Sequence, residues 1–380
     1  MSSASQHTNC SVTFIETGFK AEIPGLKRNV PAASFPFGGN FTFFDFALAN
    51  FKNFAGTRFT ILAGNRFRAC LPFLTSRWTG DPTQIRSLEG GLDQLLELFQ
   101  ADPSECLVLV PLSLVALINS DHLRTLIDEP PVSITKVSIG GAPTDIYIAR
   151  RKRLLKILRS FQQRNRGAVD LEEFLFGEIL HSSFDLIEDV PGRILFQNSL
   201  MQLYRENIRL LGLSGEEQLR LFSTFHSIKT SPRDSLIEKS AEIKNSLISF
   251  GACIEGKVTG SVIFPGVHIK KSAQVVNSVV MSNNSIGSGS LIQSSLILPY
   301  LGENGKGASN IGSNVTIGSP RSAARNEKHP SQVRDGITVL GLNADIPASY
   351  RIEAACLVEA DVTPHALRER KFLRRGASIP

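Results

Sequence analysis

No stretch of this chain is long and apolar enough to cross a bilayer. The longest apolar run, Cys106 to Ile118 (CLVLVPLSLVALI), is broken by Pro111 and Ser113 and falls short of the roughly 20 residues a spanning helix needs. It reads instead as a buried parallel strand running into a helix. The first ten residues, MSSASQHTNC, lack the basic start and apolar centre of a secretion signal, so a cytoplasmic protein without membrane attachment is expected. Cysteine is sparse. Cys10, Cys70, Cys106, Cys253 and Cys356 show neither a paired framework nor metal-ligand spacing, which fits a reducing compartment and points to no metal. Excess charge is small as well, at +6. Its basic clusters, RRKRLLK (150–156) and RERKFLRR (368–375), read as solvated surface, with a phosphorylated small-molecule effector as the functional alternative. Basic and aromatic residues do not interleave, so no nucleic-acid partner is expected.

What is present is an ordinary globular composition, 42% hydrophobic and 20% charged, on 380 residues, enough for two cored domains. From about Asn245 the aliphatic residues fall six apart: Ile263, Ile269, Val275 and Met281, with a second phase Val280, Ile286, Ile292 and Leu298. Neither an α-helix nor an alternating strand has that period. Three hexapeptides per triangular turn, with Gly, Ser and Asn at the corners, predict a left-handed parallel β-helix. The rhythm breaks at about 300–336, resumes briefly at Ile311 and Ile317, and returns with Leu340, Ile346, Ile352 and Val358, so an inserted loop is expected there.

Ahead of it, candidate strands Val12–Glu16, Arg58–Leu62, Cys106–Pro111 and Asp145–Ile148 alternate with helical stretches such as Phe44–Asn53 and Leu92–Phe99, predicting an α/β domain with a parallel sheet. Helical spacing continues through Arg151 to Gly212. The predicted organisation is an α/β domain over 1–213, a linker over 214–240, the β-helix over 241–365 and a basic tail over 366–380.

Within the front domain, PFGGNFTFFDFALAN (Pro36–Asn50) resembles the PFGG motif of the ADP-glucose pyrophosphorylases (glucose-1-phosphate adenylyltransferases) at Pro36, Phe37, Gly38, Gly39, Asp45, Phe46 and Asn50. NSLMQLYRENIRLL (198–211) is similar to that family's segment before its linker, and 242–269 to its entry into the β-helix. The resemblance implies an α/β nucleotidyltransferase-like domain, Rossmann-like and of GT-A type, followed by the left-handed β-helix. It also implies where catalysis would sit. A gapless count places the family's triphosphate loop, GGxGxRL, on Thr17–Ile23, with Glu22 where the family has Arg. The family's Lys falls on Ala32, and its two Mg²⁺-holding acids fall on Ser113 and Phe196. A carboxylate in place of Arg repels a triphosphate, and Ser and Phe cannot hold Mg²⁺ as carboxylates do. Lys27 and Arg28 are weighed as replacement cations against solvated turn residues, and Asp121 as a displaced acid against a helix N-cap.

No catalytic residue, no metal and no cofactor are therefore expected, with Mg²⁺ required only if the site has been rearranged into an active one. A vestigial nucleotide pocket would use Gly38, Gly39, Gly90 and Gly91, the last two in EGGLDQLL beside Asp93. His268 is weighed as the general base of a hexapeptide acyltransferase against an outward coil residue. Trp78 is weighed as a stacking residue against a packing one.

Within the family, the likeness is to the non-catalytic GlgD-type subunits. These imply a regulatory partner of an active subunit in glycogen synthesis, in a hetero- or homotetramer. The alternatives are an active glucose-1-phosphate adenylyltransferase with a rearranged site, and a scaffold or sensor unrelated to glycogen.

Overall fold

The computed structural model describes residues 10–16, 18–19, 23–27, 30–51, 58–63, 83–87, 91–129, 132–164, 175, 180–181, 183–214, 216–217, 234–302, 309–320, 322–368, 370 and 372–380. Glu22, Arg28, Trp78 and Gly90 lie outside them.

The chain enters through β1 (Cys10–Glu16), every residue of which is buried. A short hairpin, β2 (Pro36–Phe37) and β3 (Phe41–Thr42), leads into α1 (Phe43–Phe51). Asp45 in that helix accepts the N–H of Thr42 at 2.8 Å, satisfying a donor the first turn would leave free. Asn50 ties the helix to the next layer, donating to the carbonyl of Ala116 and accepting the N–H of Ile118. β4 (Arg58–Ala63), β5 (Thr83–Ser87), α2 (Gly91–Ala101) and β6 (Cys106–Pro111) follow. The chain then turns into a second strand, β7 (Val115–Ile118), where a helix was expected, and only then into α3 (Ser120–Asp128). Pro111 and the turn at Leu112 and Ser113 end β6, and the β-branched Val115 and Ile118 favour extension. The cap of α3 is Asn119, which accepts the His122 N–H, and Asp121 sits in the first turn.

β8 (Thr135–Ile139), β9 (Ala142–Arg150), α4 (Arg151–Arg164), β10 (Leu186–Val190), β11 (Gly192–Phe196) and α5 (Leu200–Arg209) complete the domain. The large sheet runs β10-β8-β9-β6-β1-β4-β5. It is mixed, not purely parallel. β9 returns from β8 through the Gly140–Gly141 turn and therefore pairs antiparallel with both β8 and β6.

The second half is a parallel β-helix of short strands in three stacked sheets. It begins inside the expected linker, because Leu236–Ile237 already pairs with Cys253–Ile254. It also takes in the expected basic tail, since Ser378–Ile379 pairs with Leu357–Val358 and both Leu373 and Ile379 are buried in its core. Its first turns are shorter than three full hexapeptides: register partners there lie 15 or 17 positions apart, as in Cys253↔His268 and His268↔Ser285, while later pairs such as Leu291↔Thr316 and Ser295↔Thr338 span 25 and 43. The six-residue rhythm therefore slips. Ile263, Ile269, Val275, Val280, Ile286, Ile292 and Ile297 fill the interior, whereas Met281 and Leu298 point outward into a different core.

That other core joins the two halves. On one face of the β-helix Val262, Val279, Leu296, Val339 and Leu357 point away from its interior and pack with Leu200, Met201, Leu203 and Tyr204 of α5. Tyr204 donates its hydroxyl to the Asn277 carbonyl at 2.6 Å. The end of the expected insertion also reaches α5: Gln332 accepts the Leu200 N–H and donates to the Asn198 carbonyl, and Asp335 pairs with Arg205.

Candidate functional site

In open α/β sheets, ligands gather at the carboxyl ends of the strands, which here means the segment after β1. The last residue of β1 is Glu16, fully buried. Its Oε1 accepts the N–H groups of Gly18 (3.1 Å) and Ala32 (2.8 Å), and its Oε2 accepts that of Ala33 (2.8 Å). Burial pushes the carboxyl up to about 7, against the lowering pull of the Ala33, Gly18 and Ala32 donors. Convergent backbone N–H groups at such a position are what a phosphate loop offers its anion. Here the anion-accepting place is taken by the protein's own side chain.

Around it stands a phenylalanine cluster. Phe19 meets Phe35 edge-on at 4.8 Å between centroids, Phe43 at 5.8 Å and Phe196 at 6.2 Å, and Phe43 lies 5.0 Å from Phe196. Ala32 and Phe196, two of the positions singled out from the sequence, are both fully buried in this one cluster. Ser113 is half-buried in the turn after β6, beside Leu112, whose N–H bonds the Ile15 carbonyl of β1. Glu22 lies outside the described residues, although its neighbour Ile23 is buried in the same cluster.

The loop that follows Glu16 is also fastened to the β-helix. Gly25 donates its N–H to Glu359 at 2.6 Å and accepts that of Leu342 at 2.9 Å. Lys27, the candidate replacement cation, is paired with Asp361.

Gly38 and Gly39 form the tip of the β2–β3 hairpin with positive φ of 64° and 86°. The Gly38 N–H bonds Asn207 of α5 at 3.0 Å, so two of the three segments that carry the resemblance touch each other. A Cβ on Gly39 would lie 2.5 Å from Leu247 of the β-helix. These glycines sit at the domain junction. Gly91 opens α2, and Asp93 accepts a hydrogen bond from Gln162 of α4, joining two helices.

The described groups that meet at the end of β1 do not fit Mg²⁺. Phe196 is apolar and enclosed by rings, and Glu16, the acid that does sit there, has its oxygens turned to backbone donors. Glu16 was not singled out from the sequence. Its signal was an acid closing an otherwise buried, uncharged strand, CSVTFIE.

Residues 233–340 match the family model of the GlmU-like C-terminal hexapeptide. The chain is 33% identical over 127 residues to the glucose-1-phosphate adenylyltransferase of Acetivibrio thermocellus, covering 33% of this chain and 28% of that one. It is 28% identical over 227 residues to that of Clostridium perfringens strain 13, covering 54% and 56%. The chain resembles glucose-1-phosphate adenylyltransferases. It spans about half the length, or less, of the relatives it matches, including 20% of the Bacillus cytotoxicus protein of the same name. Among the described residues, no helix is long and apolar enough to cross a membrane.

Proposed function

We propose that this chain is a non-catalytic, regulatory subunit that assembles with an active glucose-1-phosphate adenylyltransferase in glycogen or α-glucan synthesis. On this reading the front domain keeps the GT-A type frame and the β-helix the left-handed coil of that family. The observation that carries the reading is at the end of β1: the loop amides are bound to Glu16, and Phe196 and Ala32 are packed among rings. Among the described residues, a site so filled offers a triphosphate none of these amides, and Lys27 nearby is already paired with Asp361. A phosphorylated effector of the assembly would find its cations on α4, where Arg153, Lys156 and Arg164 line a groove with Ser160 and Ser183.

Two measurements test the reading together. The purified chain, given ATP, glucose 1-phosphate and Mg²⁺, is expected to release no pyrophosphate above the uncatalysed background. Co-expressed with an intact adenylyltransferase from the same cell, it is expected to co-elute on size exclusion and to shift that enzyme's response to effectors. Turnover by the chain alone returns it to the enzymes with a rearranged site. An inactive chain that fails to co-elute favours a scaffold or sensor outside glycogen metabolism.

A further inference from the structure

Five scattered cysteines gave no metal-ligand spacing, yet the short turns of the β-helix gather donors that the sequence separates. Cys253 and His268 are register partners on adjacent parallel strands. Their neighbours Ile254 and Ile269 fill the interior, so Cys253 and His268 face outward one above the other. Glu255 follows on the same turn. The Cys253 thiol sulfur, a Glu255 carboxylate oxygen and a His268 ring nitrogen all lie within 4.8 Å of one another, each residue half-buried.

We propose that Cys253, Glu255 and His268 form a site for one zinc-class divalent cation on the outer face of the β-helix. Thiolate plus imidazole is a donor pair that selects Zn²⁺ and its relatives over Mg²⁺ or Ca²⁺, which prefer all-oxygen shells. In a tetrahedral zinc site neighbouring donors stand roughly 3.3–3.8 Å apart, as follows from bonds of about 2.0–2.3 Å. Binding an ion would part His268 Nε2 from Glu255 Oε1, which stand hydrogen-bonded 2.5 Å apart, and hold all three donors at that spacing.

The backbone beneath is fixed. Cys253 N–H bonds the Val267 carbonyl, Glu255 N–H the Ile269 carbonyl and His268 N–H the Asn284 carbonyl, at 2.8, 2.8 and 2.9 Å. Burial, then the charges of Glu255 and Glu238, hold the Cys253 thiol above its ordinary value, so the thiol is protonated before metal arrives. Coordination releases that one proton to solvent and forms the metal–sulfur bond. Three protein donors leave the fourth position of a tetrahedral ion for water or an external ligand.

The test uses the untagged full chain, reduced and stripped with chelator, titrated anaerobically with Co²⁺. One equivalent is expected to raise a thiolate-to-cobalt charge-transfer absorption that Zn²⁺ abolishes by displacement. Cys253→Ser is expected to lose that band, and His268→Ala to bind at least tenfold more weakly, with far-ultraviolet dichroism confirming the β-helix in each. An independent readout needs no variant: one equivalent of Zn²⁺, but not Mg²⁺, should slow alkylation of Cys253 at least tenfold, read by mass spectrometry. Absence of the band together with unprotected Cys253 overturns the proposal, and so does a band that survives in Cys253→Ser.

Discussion

The carboxyl end of β1 and the outer face of the β-helix are opposite cases. The first is where the family motifs direct a search for chemistry. There the polar and apolar demands are met internally, by Glu16 for the amides and by phenylalanines for the space. The second carries no metal-ligand spacing, yet a thiol, a carboxylate and an imidazole converge on it half-exposed. Here the motif residues mark where the scaffold packs. Function needs groups whose bonding capacity the scaffold leaves over.

The sharpest way to break this contrast is to reopen the first region. Phe196→Ala removes a fully buried ring that touches Phe19 and Phe43, and should cost about 4 kcal/mol of stability, read from urea unfolding. It should yield no pyrophosphate release. A loss below about 1 kcal/mol would mean that the ring borders open space.

Glu16→Ala comes next. It strands the amides of Gly18, Ala32 and Ala33, and with unsatisfied buried donors costing about 1–3 kcal/mol each, a loss of about 3 kcal/mol is expected after relaxation. The wild-type carboxyl also has a pH signature. Its value is raised from 4.5 to about 7, so the folded chain binds more protons than the unfolded one between those limits. This group's contribution is therefore fully present below about pH 4.5 and lost as pH rises through 7, by about 3 kcal/mol in total. Unfolding free energies across that window, compared with Glu16→Gln, should show a falling component that the variant lacks. Identical slopes would remove Glu16 from this role.

Gly39→Ala tests the junction. With φ at +86° and Leu247 at 2.5 Å from the new Cβ, it should cost about 2 kcal/mol, and the double variant Gly39→Ala with Leu247→Ala should recover part of it. The smallest effect is expected for Lys27→Ala. Its pair with Asp361 is substantially exposed, so about 0.5 kcal/mol or less is expected, and less again at high salt.

Much of the fold was legible in local pattern. The apolar run CLVLVP gave β6, the pattern of Val12–Glu16 gave β1 and the six-residue rhythm gave the β-helix, because each follows from which faces of one strand are buried. The direction of β9 was not legible, since the sheet's hydrogen bonds, not the strand's own residues, decide whether it runs parallel. Nor was the slip of the rhythm at Val280 and Ile297: Met281 and Leu298 keep the count of six but serve a second core, and aliphatic side chains do not announce which core they join. For the candidate site, motif register pointed to Ala32 and Phe196, which lie buried in one apolar cluster. Glu16 escaped because an acid ending a strand looks solvated until its amide partners, as many as 17 positions away, are brought to it.

By itself, then, the sequence determined periodicity: an alternation of strands and helices in its front half and a six-residue rhythm behind it. Tertiary structure decided neighbourhood. Residues 15 apart become stacked donors only because a turn of this β-helix has that length, and a buried glutamate becomes the partner of three amides only because the loop after β1 folds back over it. Covalent order fixes what each residue can bond. Distance through space, set by the packing of the whole chain, fixes what it does bond.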